Sequence, residues 1–312
     1  APSAVLGVGD DCALLRPHAE MLLAVSKDLL IEGRHFLAGT DPVRLGHKSL
    51  AVNLSDLAAM GADPRWVMLG LALPEADETW VAGFARGFFA LAERHGVELV
   101  GGDTTRGPLT ISVTIMGEVP PALALRRDGA RAGDDVWLSG ATGEAALGLA
   151  HLQGRVRLPA SLLQACLDRL ETPEPRVTLG GRLRGLARSA IDVSDGLLAD
   201  LGHIVEASDV RAEIDLPLLP LMPALAQCED AQLVRDCLLA GGDDYELVFT
   251  ADPQHRPELA DLATELGLAL TRIGNVLPRG DGSKAAGGSA VLVRDAAGGV
   301  VPVSRGGFDH FG

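Results

Sequence analysis

The chain has 312 residues, enough for two domains that each bury a core without a disulfide or a structural metal. Its formal net charge of −15 repels nucleic acid and anionic membrane surfaces, so a phosphate-bearing ligand must be received locally by metal ions, backbone N–H groups or a few arginines. Aromatic residues are sparse, with 1 Tyr, 3 Trp and 7 Phe, which favours layered α/β packing over an aromatic-rich β sandwich.

Met21 to Lys27 reads as a short strand that delivers Asp28 at its end. Asp41-Pro42 then opens a helix, Asp as N-cap and Pro at the first helical position, and apolar spacing through Leu45, Leu50, Leu54 and Leu57 carries it to a stop near Gly61. On that helix Val52 and Asp56 share a face. Trp66 to Leu73 reads as a strand and Glu78 to His95 as a second long helix. Val97 to Val100 and Thr110 to Val119 read as strands around a turn at Gly101-Gly102-Asp103. The result is a β-α-β-α-β-β half. The prolines, charges and glycines between Val119 and Asp135 mark the best boundary, giving units of 1–125 and 126–312. In the second unit, strands are expected near Val136–Ser139, Ala190–Val193, Arg211–Leu216, Tyr245–Thr250 and Leu270–Val276. Helices are expected over Gly143–Leu152, after Pro173-Glu174-Pro175, and over Gly196–Ala207. Pro278 to Ser289, rich in Gly and Ser, reads as a loop.

Cys12, Cys166, Cys228 and Cys237 form no C-x-x-C pair and have no metal-ligand spacing, which reads as buried, reduced thiols. No apolar run approaches the ~20 residues of a membrane helix and no secretory leader opens the chain, so a cytoplasmic protein is expected. The histidines show no zinc-binding spacing.

The informative pattern is acids beside glycines or at strand ends: Gly9-Asp10-Asp11, Ser26-Lys27-Asp28, Gly101-Gly102-Asp103, Asp192-Val193-Ser194-Asp195-Gly196 and Gly241-Gly242-Asp243-Asp244. Glycine lets a backbone turn and a ligand approach, and a short Asp at a strand end is rigidly held. Any one Gly-Asp is most often a turn or a cap, and Asp195-Gly196 could simply cap the helix that follows. Together they point to carboxylates that converge, which is tolerable only with hard cations such as Mg²⁺ between them. Mg²⁺ in turn completes its octahedron with phosphate oxygens and water, which points to a nucleoside triphosphate. The usual phosphate loops are missing: Gly46-His47-Lys48-Ser49 lacks the glycine loop of a P-loop, and Gly7-Val8-Gly9 is a fragment of a dinucleotide fingerprint with Cys12 in place of its third glycine. Carboxylates beside Cys12 disfavour its thiolate, which leaves that residue a packing role.

These blocks, GVGDDCALL, NLSDLAAMGADP, GGDTTRGP, IDVSDGL and GGDDYEL, resemble the diagnostic segments of the thiamine-monophosphate kinases, and the resemblance runs along nearly the whole chain to Gly307-Phe308-Asp309. It implies the two-domain α/β (α+β) fold of the aminoimidazole-ribonucleotide synthetase superfamily, with N-terminal sheets pairing into a barrel in a homodimer. It also implies ATP-dependent, Mg²⁺-dependent phosphorylation of thiamine monophosphate to the diphosphate. Position by position, it gives Asp28, Asp56 and Asp103 as the catalytic acids and Asp11, Asp28, Asp56, Asp103, Asp192 and Asp195 as metal ligands, with Ser26 and Lys27 in a segment that also supplies ligands. Gly102, Arg127 and Ser194 are implied to contact ATP, and His35, Asp243 and Phe308 to contact thiamine monophosphate. Lys27 departs from the small hydroxyl residue usual in the family, and Asp243 from a common Glu.

A phosphate monoester is largely deprotonated at neutral pH, its second pKa being ~6, so the reaction needs no general base and rests on positioning and charge neutralisation. The alternatives are another ATP-dependent enzyme of the superfamily or a non-catalytic nucleotide-binding regulator. Selenophosphate synthesis would need a reactive Cys that Cys12 does not supply, and a regulator has no use for so complete a set of acids.

Overall fold

A computed structural model describes residues 4–279, 290–303 and Gly307. Phe308 and most of the Pro278–Ser289 loop lie outside the described residues. In chain order the elements are β1 (Ala4–Leu6), β2 (Leu14–Leu15), β3 (Leu22–Ile31), α1 (Pro42–Ala59), β4 (Asp63–Leu73), α2 (Glu78–His95), β5 (Glu98–Arg106) and β6 (Thr110–Val119). They continue with β7 (Asp135–Ser139), α3 (Glu144–Leu152), α4 (Ala160–Glu171), α5 (Val177–Arg182), β8 (Ala187–Asp192), α6 (Leu197–Ala207) and β9 (Val210–Asp215). The last are α7 (Pro223–Ala226), α8 (Ala231–Ala240), β10 (Leu247–Ala251), α9 (Arg256–Leu266), β11 (Leu270–Pro278) and β12 (Val291–Arg294).

The first half holds a four-stranded sheet of order β3-β6-β4-β5, and the second a six-stranded sheet of order β12-β9-β11-β7-β10-β8. Among the described residues the only parallel strand pairs are β4–β5 and β9–β12, which makes the fold layered α+β rather than a doubly wound parallel sheet.

Helix α1 lies between the halves. It packs on α2 and on β3, β4 and β6 of one side, and on α4, α5 and β8 of the other. Its start follows from chemistry: the Asp41 carboxylate accepts from the N–H of Val43 and Arg44, and Pro42 occupies a position that needs no N–H. A helix buried on all sides must satisfy its polar side chains internally, and Ser49 Oγ and Asn53 Nδ2 donate back to the carbonyls of Leu45 and Ser49. The α1–α2 contact is made close by glycine: a Cβ at Gly46 would collide with the Phe84 carbonyl, and one at Gly87 with the Val43 carbonyl.

Three local expectations are corrected. Asp28 lies within β3 rather than at its end, because Leu29, Leu30 and Ile31 continue the strand opposite Ser112, Ile111 and Thr110. Gly101-Gly102-Asp103 is not a turn but the middle of β5; Gly102 stands so close to β4 that a Cβ would strike the Leu69 carbonyl. Cys12 is exposed rather than packed, whereas Cys166 and Cys237 are buried.

Candidate active site

A cleft of about 930 Å³ lies between the two halves. Helix α1 gives it one wall with Lys48, Val52 and Asp56, four residues apart and therefore on one helical face. Asp28 of β3, the Asp192–Asp195 segment after β8, and Asp243 and Tyr245 before β10 complete its polar end. Leu45, Leu149 and Leu170 add apolar lining.

Asp28, Asp56 and Asp192 act on one another at the polar end. The Asp192 carboxyl, fully buried, is pushed up to about 8, first by burial and then by the charge of Asp56. Asp28 is pushed up to about 7 by burial and by Asp56. Asp56 is also raised by burial, against the opposing effects of a hydrogen bond from Ser26 Oγ and the nearby charge of Arg127. Ser55 Oγ donates to Asp192 at 2.7 Å, which ties α1 to the end of β8. Mutually repelling carboxylates on a ligand-sized cleft have the donor chemistry for a hard divalent cation. Among the described residues no three or more His, Cys, Asp or Glu side chains are gathered around a single point.

The Ser194–Gly196 loop is held from below by Asp200, a residue the sequence reading did not single out. Its Oδ2 accepts from the N–H of Ser194, Asp195 and Gly196 at 3.0, 3.1 and 3.1 Å, presenting Ser194 and Asp195 to the cleft. Its position four residues after Gly196, in the first turn of α6, was the available signal. His35 also lines the cleft; its Nδ1 accepts from the Ile31 N–H at 3.0 Å, which puts the ring proton of the neutral form on Nε2. Lys48, set aside in sequence as part of an incomplete P-loop, points an almost buried ammonium at Asp243, 2.9 Å from Oδ1.

Other expected site residues stand elsewhere. Asp28 is in register with Val113, Leu69 and Gly102 across the sheet, so Asp103 sits at the far edge, ~14 Å away at ~4.8 Å per strand, and one residue out of phase on the opposite face. Asp11 is exposed in the turn after β1, which packs beside β5, at that same far edge. Lys27 is likewise turned to the open face, beyond reach of the Asp28 side. Within one chain, therefore, Asp28, Asp56, Asp192, Asp195, Asp243, Ser194 and His35 share the cleft, while Asp11, Lys27, Gly102 and Asp103 do not line it.

The two halves and their cleft define a class. The family "AIR synthase related protein, N-terminal domain" matches residues 9–119, and "AIR synthase related protein, C-terminal domain" matches residues 131–285. Within that class the chain belongs to the thiamine-monophosphate kinase family. It is 45% identical over 307 residues to the thiamine-monophosphate kinase of Escherichia coli K12, covering 98% of this chain and 92% of that protein. The crystal structure of the thiamine-monophosphate kinase from Stenotrophomonas maltophilia K279a superposes with a TM-score of 0.86 at 50% identity, over 93% of this chain and 91% of that one. AaThiL complexed with AMPPCP and TMP superposes with a TM-score of 0.79 at 32% identity, over 96% and 90%.

Proposed function

We propose that this protein transfers the γ-phosphoryl group of ATP directly, in line, onto the phosphate of thiamine monophosphate, giving thiamine diphosphate and ADP. The observation that carries the reading is the meeting of Asp28, Asp56 and Asp192 on a cleft that also has apolar lining. A relative with this fold binds AMPPCP and TMP, and the close relatives are thiamine-monophosphate kinases. The attacking phosphate oxygen is already deprotonated near neutral pH, its pKa being ~6, so the chain's task is to align two anions and neutralise their repulsion.

Asp28, Asp56, Asp192 and Asp195 would hold Mg²⁺, which when bound neutralises phosphate charge. Ser26 supports Asp56 by its hydrogen bond, and Asp200 fixes the loop that carries Ser194 and Asp195. Ser194 and Arg127 are the groups assigned to ATP, and His35 and Asp243 to thiamine monophosphate. With no protein base required, His35 serves to orient substrate rather than to take a proton.

The enzyme is further proposed to be a cytoplasmic homodimer built on the units 1–125 and 126–312. No helix among the described residues is long and apolar enough to cross a membrane. Strand β3 is a sheet edge whose outer face exposes Leu23, Val25, Leu29 and Ile31, a surface suited to pairing with a second copy. Closure of two such sheets into a barrel would carry Asp11 and Asp103 of one copy, at the opposite edge, towards the cleft of the other.

The test is to mix the protein with Mg-ATP and either thiamine monophosphate or thiamine and to separate the products by chromatography. Diphosphate and ADP in equal amounts from the monophosphate are the expected result. ADP without diphosphate would contradict the reading.

A further inference from the structure

Asp243 is held with unusual firmness for a residue on a cleft wall. Its backbone is in the left-handed region, φ 67°, where a side chain costs energy, and its N–H donates to the Ser194 carbonyl at 2.9 Å. Tyr245, also left-handed at φ 52°, donates its N–H to the Val193 carbonyl at 2.8 Å. Strained backbone of this kind persists only where the surroundings over-determine it, and here it turns both side chains to the cleft.

The hydrogen bonds to the Asp243 carboxylate are asymmetric. Lys48 Nζ, with a side chain only 5% exposed, and the Tyr245 hydroxyl both reach Oδ1, at 2.9 and 3.0 Å. Among the described residues these two contacts fall on Oδ1, which leaves Oδ2 as the oxygen that a ligand in the cleft lined by Asp243 could use. An ionised carboxylate oxygen can only accept. Of the groups that thiamine monophosphate brings, the phosphate is anionic and the thiazolium nitrogen carries no hydrogen. The exocyclic amine of its pyrimidine is the N–H donor.

We propose that Lys48 and Tyr245 are positioning residues for substrate selection: they occupy one oxygen of Asp243 and so aim the other at the pyrimidine amine of thiamine monophosphate. The inference rests on the kinase reading and on Asp243 as a substrate contact. A carboxylate freed from two such bonds samples other rotamers, and the cost appears in substrate binding rather than in the transfer step.

The test measures kcat and both KM values at pH 8 for Lys48→Met, Tyr245→Phe, Asp243→Asn and the doubles of each with Asp243→Asn, with folding checked by thermal melting. Lys48→Met and Tyr245→Phe are each expected to raise KM for thiamine monophosphate about tenfold, with KM for ATP and kcat within about twofold. In the Asp243→Asn background neither should add more than about twofold, because the group they act through is already altered. Oxythiamine monophosphate, which carries an oxo group in place of the amine, should be a poor substrate of the unmodified enzyme and relatively better with Asp243→Asn, whose amide can donate. Unchanged KM for thiamine monophosphate in both single variants, or equal effects with and without Asp243→Asn, overturns the inference. An unchanged KM in Asp243→Asn instead overturns the assignment of Asp243 itself. If Lys48→Met does not fold, Tyr245→Phe and its double carry the same comparison, since the ring and its packing are retained.

Discussion

Replacing Asp192 by Asn should make the metal-free protein more stable, by an amount that grows as pH rises above about 4. A buried carboxyl displaced from an ordinary 3.8 to about 8 costs on the order of 5 kcal/mol once it must ionise. The sign follows from the direction of displacement. The folded-state value lies above the unfolded one, so the contribution to stability is whole below pH 4 and is lost as pH rises through about 8. Asp28, pushed up to about 7, adds to the loss over the same interval. Asn keeps the acceptor for Ser55 Oγ and removes one of the repelling charges. The part of the cost shared with Asp28 and Asp56 is relieved with it, and about 2–4 kcal/mol should be regained at pH 8.5. The assay is urea unfolding in the presence of a chelator at pH 5 and pH 8.5, for both proteins. The variant's advantage should be small at pH 5 and larger at pH 8.5, and the variant should gain less from added Mg²⁺ and be inactive. Stability of the unmodified protein that does not fall between pH 5 and 8.5, with Asp192→Asn destabilising at both, would refute the claim that these carboxylates strain the fold.

Two further outcomes test the scaffold and the assembly. Gly87→Ala places a methyl against the Val43 carbonyl where α1 meets α2, and should cost about 2–3 kcal/mol in urea unfolding and lower activity by displacing Asp56; a neutral effect would mean the helices can separate freely. If Asp103 serves the cleft of a second copy, Asp28→Asn and Asp103→Asn proteins, each inactive, should recover about a quarter of normal activity after mixing and subunit exchange, since half the dimers then hold one intact site. No recovery, with exchange demonstrated, would place Asp103 outside the partner's site.

The legibility of the fold followed the range of the interactions involved. Asp41-Pro42 and the apolar spacing of α1 are local, and the helix stands where they put it. The face shared by Val52 and Asp56 was readable for the same reason, and one more turn back along it would have exposed Lys48. The polar pair Lys27-Asp28 hid the continuation of β3, because a strand lining a cleft alternates without being uniformly apolar. Gly101-Gly102 looked like a turn because its reason, close approach of β5 to β4, involves a strand thirty residues away. Helices α4, α8 and α9 went unread, although charges such as Asp168, Asp236 and Asp261 interrupt their apolar residues only on the outward side of the sequence pattern. Of the expected acids, Asp28, Asp56 and Asp192 act on one another within the chain. Which of them gather within one chain depends on strand order, and placing β5 at the edge opposite β3 carries Asp103 away, a fact no local pattern encodes.

The most direct measurement is a crystal structure with Mn²⁺, AMPPCP and thiamine monophosphate, the metal located by its anomalous scattering. Peaks bonded at once to Asp28, Asp56 or Asp192 and to phosphate oxygens are the result expected here. Metal bound only away from these carboxylates, or a triphosphate seated with all three facing water, would contradict the account.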